Sequence, residues 1–234
     1  MVLWGTAVNA AAIIAGGLLG LLLPKLKDGI KETVMQGLGL SVVVLGFSMA
    51  LKSDNFLVVI ACLVAGGIAG ELLRIDKGLQ WLGTQLERLV GNGGSGKVAT
   101  GFVTTTLIYC IGAMAVLGSL QSGMEQEHSI LYTKSMLDGF SAVIFASTLG
   151  VGVLFSAIPV FIYQGIIALA ATWIALAFGD VMLNEMITQI TAVGGILIIG
   201  IGLNVLEIKK VNVANLLPAI VMAALSVPVM ALWN

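Results

Sequence analysis

The feature that most constrains this chain is a succession of eight apolar runs, most of them near the roughly 17–25 residues that carry a helix across a bilayer. They are Val2 to Leu23, Met35 to Leu51, Phe56 to Leu73, Val98 to Leu120, Leu131 to Leu149, Val151 to Phe178, Val181 to Leu206 and Leu216 to Trp233. Lipid offers no partner to a bare peptide group, so runs of this length must close their backbone hydrogen bonds internally, as helices. Composition agrees: 59% of the 234 residues are hydrophobic and 10% are charged, less than half the roughly 25% charge of a soluble domain. Net charge is −1 with no basic cluster, which leaves no footprint for nucleic acid. The expectation is an all-α polytopic membrane protein of about eight transmembrane helices, a single integral membrane domain over residues 1–234. A disulfide scaffold and a disordered chain are excluded.

The distribution of basic residues orients the chain. If the N-terminus is outside and all eight runs cross, Lys25, Lys27, Lys31, Arg74, Lys77, Arg88, Lys97, Lys209 and Lys210 face the cytoplasm, and only Lys52 and Lys134 lie outside. Nine against two is the positive-inside pattern, with both termini outside. Met1 to Thr6 has no basic region, and no small-residue cleavage pattern precedes Pro24 and Lys25. The first run is therefore expected to be a transmembrane helix rather than a signal peptide. The fifth run carries Lys134, Ser135, Asp138, Ser141, Ser147 and Thr148, a polar load that suits a broken or re-entrant helix as well as a span. Between the third and fourth runs, residues 74–97 place Ile75, Leu79, Leu82, Leu86, Leu89 and Val90 at three- and four-residue spacing. That spacing predicts an amphipathic helix on the cytoplasmic surface, stopped by the glycine-rich turn from Gly91 to Gly96. The turn lacks phosphate-loop spacing and a preceding strand, so no nucleotide site is read there.

Internal echoes point to repeats. Leu45-Gly46-Phe47-Ser48 resembles Ile111-Gly112-Ala113-Met114 and Ile201-Gly202-Leu203-Asn204. The stretch from Ala15 to Gly20 echoes that from Ala65 to Gly70, and Asp138, Ala142 and Ala146 match Asn215, Ala219 and Ala223. A leading hairpin followed by a pair of inverted three-helix units, spans three to five and six to eight, fits these echoes and the arrangement of many secondary transporters. The small-residue faces at Gly16 and Gly20, and at Gly66 and Gly70, suit close helix packing within a protomer or in a homo-oligomer.

Polar groups in lipid mark the candidate site. A carboxylate at a helix centre costs about 2.5–3.5 kcal/mol on insertion scales and usually faces a cavity or a partner. Asp138 is such a group, with Lys134 one turn away, Gly139 beside it and Ser141 three residues on. Thr100, Thr104, Thr105, Thr106 and Tyr109 give the fourth span a hydroxyl-rich stretch, although threonines also bond back to their own helix. Asn9, Gln164 and Asn204 are single amides in spans one, six and seven. Pro159 is placed to break the sixth span and free carbonyls, and Pro218 and Pro228 to interrupt the last. The expected ion- or substrate-binding set is Asp138, Ser141, Thr104, Thr105, Gln164, Asn9 and Asn204. Glu71 and Glu207 are expected to form interfacial salt bridges with Arg74 and with Lys209 or Lys210. Cys62 and Cys110 read as small core residues. His128, alone in a polar loop, reads as solvated, with no second histidine to share a metal.

KSMLDGFSAVIFASTLGVGVLFSAIPVFIYQG from Lys134, GFVTTTLIYCIGAMAVLGSLQSG from Gly101, GTAVNAAAIIAGGLLG near the start and GLNVLEIKKVNVANLLPAIV near the end resemble the YdfK/YqgA-like family of bacterial multi-pass membrane proteins. The resemblance covers nearly the whole chain. It implies the bacterial cytoplasmic membrane and a domain of unknown function, with transport suggested and no substrate attached. Together these readings favour a secondary transporter or channel for a small ion or small polar solute, with the lipid bilayer as its environment and no cofactor or metal. The alternative is a non-transporting membrane scaffold or assembly partner. An enzyme is not expected, because no HExxH, Ser-His pair or dense carboxylate set is present.

Overall fold

The computed structural model describes residues 1–23, 28–90 and 96–231, and among them every regular element is helical. In chain order they are α1 (Trp4–Leu22), α2 (Asp28–Ala50), α3 (Phe56–Leu73), α4 (Ile75–Val90), α5 (Lys97–Cys110), α6 (Ala113–Met124), α7 (Ser129–Leu149), α8 (Gly152–Phe155), α9 (Ala157–Val205) and α10 (Pro218–Ala231), with a 3-10 turn at Val213–Leu216. Six stretches among the described residues are long and apolar enough to cross a membrane, or seven if the bent pair α5 with α6 counts as one span. α7 matches them in length at 21 residues, but its lysine, aspartate and hydroxyl residues hold it below their apolarity.

The breaks fall elsewhere than the sequence suggests. The fifth run is one unbroken helix, and the fourth bends by 62° between α5 and α6. Gly112 sits at the bend with φ 140°, a conformation open to glycine and strained for any residue with a Cβ. Pro159 does not break its span. It lies in the first turn of α9, where a missing N–H leaves no helical bond unmade, and the short α8 precedes it. Pro218 likewise opens α10, while Pro228 lies inside α10 without ending it. The turn between the sixth and seventh runs is made by Gly179, at φ 65° and ψ 165° inside α9. α3 starts at Asn55, whose side chain accepts from the Val58 N–H, and ends at Arg74 in the left-handed conformation, from which α4 starts at once. α4 is the helix expected of residues 74–97. Its Trp81 is exposed, while the side chains of Leu79, Leu82 and Leu89, and residues 91–95 of the glycine-rich turn, lie outside the described residues.

The chain divides into two compact units that interleave along the sequence. The first holds Met1–Leu26, Gln80–Cys110 and Met114–Ala177. Within it α1 and α7 run parallel, with Gly5 against Leu131, Gly16 against Gly139 and Gly20 against Val143. A Cβ on Gly16 or Gly20 would collide with the carbonyl oxygen of Gly139 or Val143, so glycine lets the two backbones touch. The bent α5–α6 pair runs the other way along α7. Val98 lies against Gly152 at one end, and at the other the Ser122 hydroxyl donates to the Val2 carbonyl and sits 2.9 Å from His128 Nδ1. His128 is therefore half-buried and partnered rather than simply solvated. The first arm of α9 also runs opposite to α7, from Leu154 of α8 beside Gly17 to Ala168 beside Gly123.

The second unit holds Lys27–Leu79, Ile111–Ala113 and Phe178–Asn234. There α2 is antiparallel to the second arm of α9, with Gly39 near Leu206 and Gly46 near Gly195, and α3 is antiparallel to α10, with Gly66 on Ala219 and Gly70 on Asn215. Each compact unit draws spans from both of the three-span groups read from the sequence echoes. The glycine faces of α1 and α3 are covered by helices of the same chain.

Candidate functional site

The buried polar groups of the first unit converge on the middle of α7. Asp138 is the tenth of its 21 residues, about 14 Å from the helix start at 1.5 Å per residue. Side chains on a helix lean toward its N-terminus, which brings the Asp138 carboxylate back onto Lys134, one turn earlier. Lys134 Nζ lies 2.6 Å from Asp138 Oδ2, and each residue is only 6% exposed. The same oxygen accepts from Asn9 Nδ2 of α1 at 3.1 Å. Asn9 Nδ2 also donates to Gln164 Oε1, on the first arm of α9, at 3.3 Å. Three helices thus meet at one ion pair, and the glycine contact of Gly16 with Gly139 sets α1 close enough for a short amide to reach the carboxylate.

α5 closes another side. Lys134 Nζ lies 6.0 Å from the centroid of the Tyr109 ring, within reach of a cation–π attraction. The Tyr109 hydroxyl accepts from Ser141 Oγ at 3.3 Å, and Ser141 also lies within 3.0 Å of the Asp138 carbonyl. Two amide atoms at the heart of the cluster have no hydrogen-bond partner, Asn9 Oδ1 and Gln164 Nε2. Both residues are 0% exposed. Thr6 Oγ1, one turn from Asn9 on α1 and also fully buried, is unpartnered as well. Leaving a buried polar atom unsatisfied costs about 1–3 kcal/mol, so a free acceptor and a free donor on adjoining amides suit a site that takes a further polar species.

Of the expected set, Asp138, Asn9 and Gln164 come together directly, and Ser141 joins them through Tyr109. Thr104 is buried on α5. Thr105 donates to the Gly101 carbonyl at 2.7 Å, so its hydroxyl is engaged by its own helix. Asn204 lies apart from this cluster, exposed in the second unit, where it accepts from Val211 N–H at 2.7 Å and donates to Val211 O at 2.9 Å. It braces the loop after α9 because it sits at a helix end. Tyr109 and Thr6 are the additions. Thr6 was readable as the same-face neighbour of Asn9, whereas nothing in sequence spacing pairs Tyr109 with Ser141. In the second unit, Glu71 accepts from Asn215 Nδ2 at 2.6 Å, and Asn215 Oδ1 accepts from the Asp76 N–H at 2.8 Å. An amide, where Arg74 was expected, thus holds Glu71 and ties the start of α4 to the 3-10 turn. An open, mostly apolar groove of about 550 Å³ on α3, lined by Leu63, Val64, Gly67, Ile68, Glu71 and Leu72, belongs to that unit too. Among the described residues no three His, Cys, Asp or Glu side chains group as metal ligands would.

Comparison with known proteins matches residues 4–228 to a family described as "Protein of unknown function (DUF554)". The uncharacterised membrane protein YdfK of Bacillus subtilis (strain 168) is 33% identical over 223 residues, 93% of this chain and 93% of that protein. The uncharacterised protein YqgA of Escherichia coli (strain K12) is 30% identical over 235 residues, 98% of this chain and 97% of that protein. No solved structure matches the chain.

Proposed function

This chain belongs to the DUF554 family of multi-pass membrane proteins, and from that premise we propose that it is a secondary transporter or channel for a small ion or small polar solute, with Asp138 as its binding centre. The observation that carries the reading is the buried junction of Asp138, Lys134, Asn9 and Gln164, with an orphaned acceptor and an orphaned donor inside it. A carboxylate and two amides in the membrane interior must be paired or wet, and apolar packing would serve stability at least as well as a buried ion pair. Function is the reason to keep them.

The setting is the bacterial cytoplasmic membrane, crossed eight times with both termini outside. Parity supports eight crossings. Spans one and five run parallel (α1 with α7), while spans two and seven, three and eight, and four and five run antiparallel, each as eight alternating spans require. No enzyme activity and no cofactor belong to this reading. Assembly into a homo-oligomer would use surfaces other than the glycine faces of α1 and α3, which same-chain helices occupy.

One observation favours the scaffold alternative. Lys134 and Asp138 are closed to 6% exposure in this state, as in a packed core. The unpartnered amide atoms weigh against it, since a purely structural core has no use for them. Ser135, on the same face of α7 and 4% exposed, separates the two. In a background of Cys62→Ala and Cys110→Ala, a Ser135→Cys variant in membrane vesicles is expected to react within minutes with a small water-soluble thiol reagent, because transport must open the site to water. A Ser135→Cys thiol that stays unreactive until the protein is unfolded would favour the scaffold.

A further inference from the structure

With Asp138 as the binding centre proposed above, the geometry points to an electroneutral exchange: a monovalent inorganic cation takes the place of the Lys134 ammonium at Asp138 only as Lys134 gives up its proton. The first support is charge balance. One ammonium and one carboxylate, 2.6 Å apart and 6% exposed, leave the site neutral. Adding a monovalent cation to that pair would leave an uncompensated positive charge in the membrane interior, a far greater penalty than an exchange that keeps the sum at zero. A lysine can make the exchange because its ammonium releases a proton, which an arginine does not. Before the exchange the site holds Lys–NH3+ and the carboxylate; after it, neutral Lys–NH2, the carboxylate and the cation. The proton passes to water on the side to which the site is then open.

Among the described residues no other ionisable group facing the pair changes this count. α1 brings Asn9 and Thr6, and α8 brings none. α5 brings Tyr109 and Cys110, and the first arm of α9 brings Gln164 and Tyr163. These are amides, hydroxyls, phenols and a thiol, uncharged near neutral pH in their ordinary state.

The two orphaned amide atoms supply the second support. As described, Asn9 turns Nδ2 toward both the carboxylate and Gln164 Oε1, leaving Asn9 Oδ1 and Gln164 Nε2 unpaired. A half-turn of both amides exchanges donor for acceptor at each. Asn9 Oδ1 would then face Asp138 as an oxygen ligand for an incoming cation, and Gln164 Nε2 would donate to that same oxygen. One orientation suits the carboxylate paired with lysine; the other suits a bound cation. The Asn9–Gln164 pair is thus a positioning element with two settings, matched to the two occupants of the site.

Calorimetric titration of the purified, detergent-solubilised protein with NaCl and with KCl, in buffers of different ionisation enthalpy, counts protons released per cation bound. The expected result is about one proton per cation, with affinity tightening about tenfold per pH unit while lysine must deprotonate. Lys134→Arg keeps the charge and the ion pair, so it is expected to fold and to bind neither cation. Cation binding without proton release, or Lys134→Arg binding as wild type does, would overturn the exchange and leave Asp138 standing as a binding centre. Proton flux that needs Asp138, with no binding of Na+ or K+, would overturn the exchange in the same way. Neither binding nor any flux that depends on Asp138 would overturn both.

Discussion

At the residue scale, Lys134 and Asp138 behave differently according to whether one or both are removed. Replacing Lys134 with Met leaves a buried carboxylate without its cation, and breaking a buried pair in this way costs about 3–5 kcal/mol. Replacing both, as Lys134→Met with Asp138→Leu, removes the need for pairing, so thermal denaturation in detergent is expected to find the double variant close to wild type and the single variant well below it. A double variant as unstable as the single one would make the pair structural. Asp138, Asn9 and Gln164 were legible in the sequence because a lone polar residue in an apolar run has to be explained by a partner. Asn204 looked the same by that criterion and was misplaced, since only the path of the chain shows that it caps a loop. The Tyr109–Ser141 contact was illegible for a related reason: it depends on how far α5 has travelled before α7 returns alongside it, 32 residues later.

Among the elements, the α1–α7 contact is the most exacting. Gly16→Val forces a branched side chain against the Gly139 carbonyl and is expected to cost about 1–3 kcal/mol, the usual range for overpacking. Gly37→Ala, where a Cβ meets nothing within 4 Å, is expected to be neutral or slightly stabilising in the same thermal assay. The start of α7 carries its own test. The Glu127 carboxylate accepts from the Ser129 and His128 backbone N–H groups, both at 3.1 Å, and these donors hold its pKa below the ordinary carboxylate value. A carboxyl group shifted downward on folding stabilises the helix start above its unfolded value and loses that contribution as pH falls through the folded one. Amide exchange in the first turn of α7 is therefore expected to speed up, beyond its intrinsic pH dependence, below that value, and Glu127→Gln to abolish the excess. The sequence showed that residues 131–149 and 98–120 were helical but left a break open in the fifth run and gave no sign of the one in the fourth. Polar content drew attention to the fifth run, whereas the bend follows from one backbone angle at Gly112 in the fourth, and side-chain polarity does not report such an angle.

For the whole molecule, the apolar runs carried most of the helical architecture, because length and apolarity act on each span separately. How the spans group was not legible. The echoes between Gly16 and Gly66, and between Asp138 and Asn215, are real in sequence, yet α1 meets α7 in parallel and α3 meets α10 antiparallel, and short motifs carry no direction of packing. The eight-crossing topology is testable by reporters fused at the C-terminus. An enzyme that folds only outside the cytoplasm is expected to be active there, and activity of a cytoplasm-only reporter instead would remove the topology. The transport reading itself is tested most directly by flux. Wild-type protein and Asp138→Asn, reconstituted in liposomes at equal and verified folded amounts, are compared for Na+, K+ and proton movement down imposed gradients. Losing about 2 kcal/mol or more at a buried charged contact corresponds to a drop of at least about 30-fold, so the expected result is wild-type flux of one of these ions with Asp138→Asn near the protein-free background. Equal flux from the two proteins, or none above background from wild type, would contradict it.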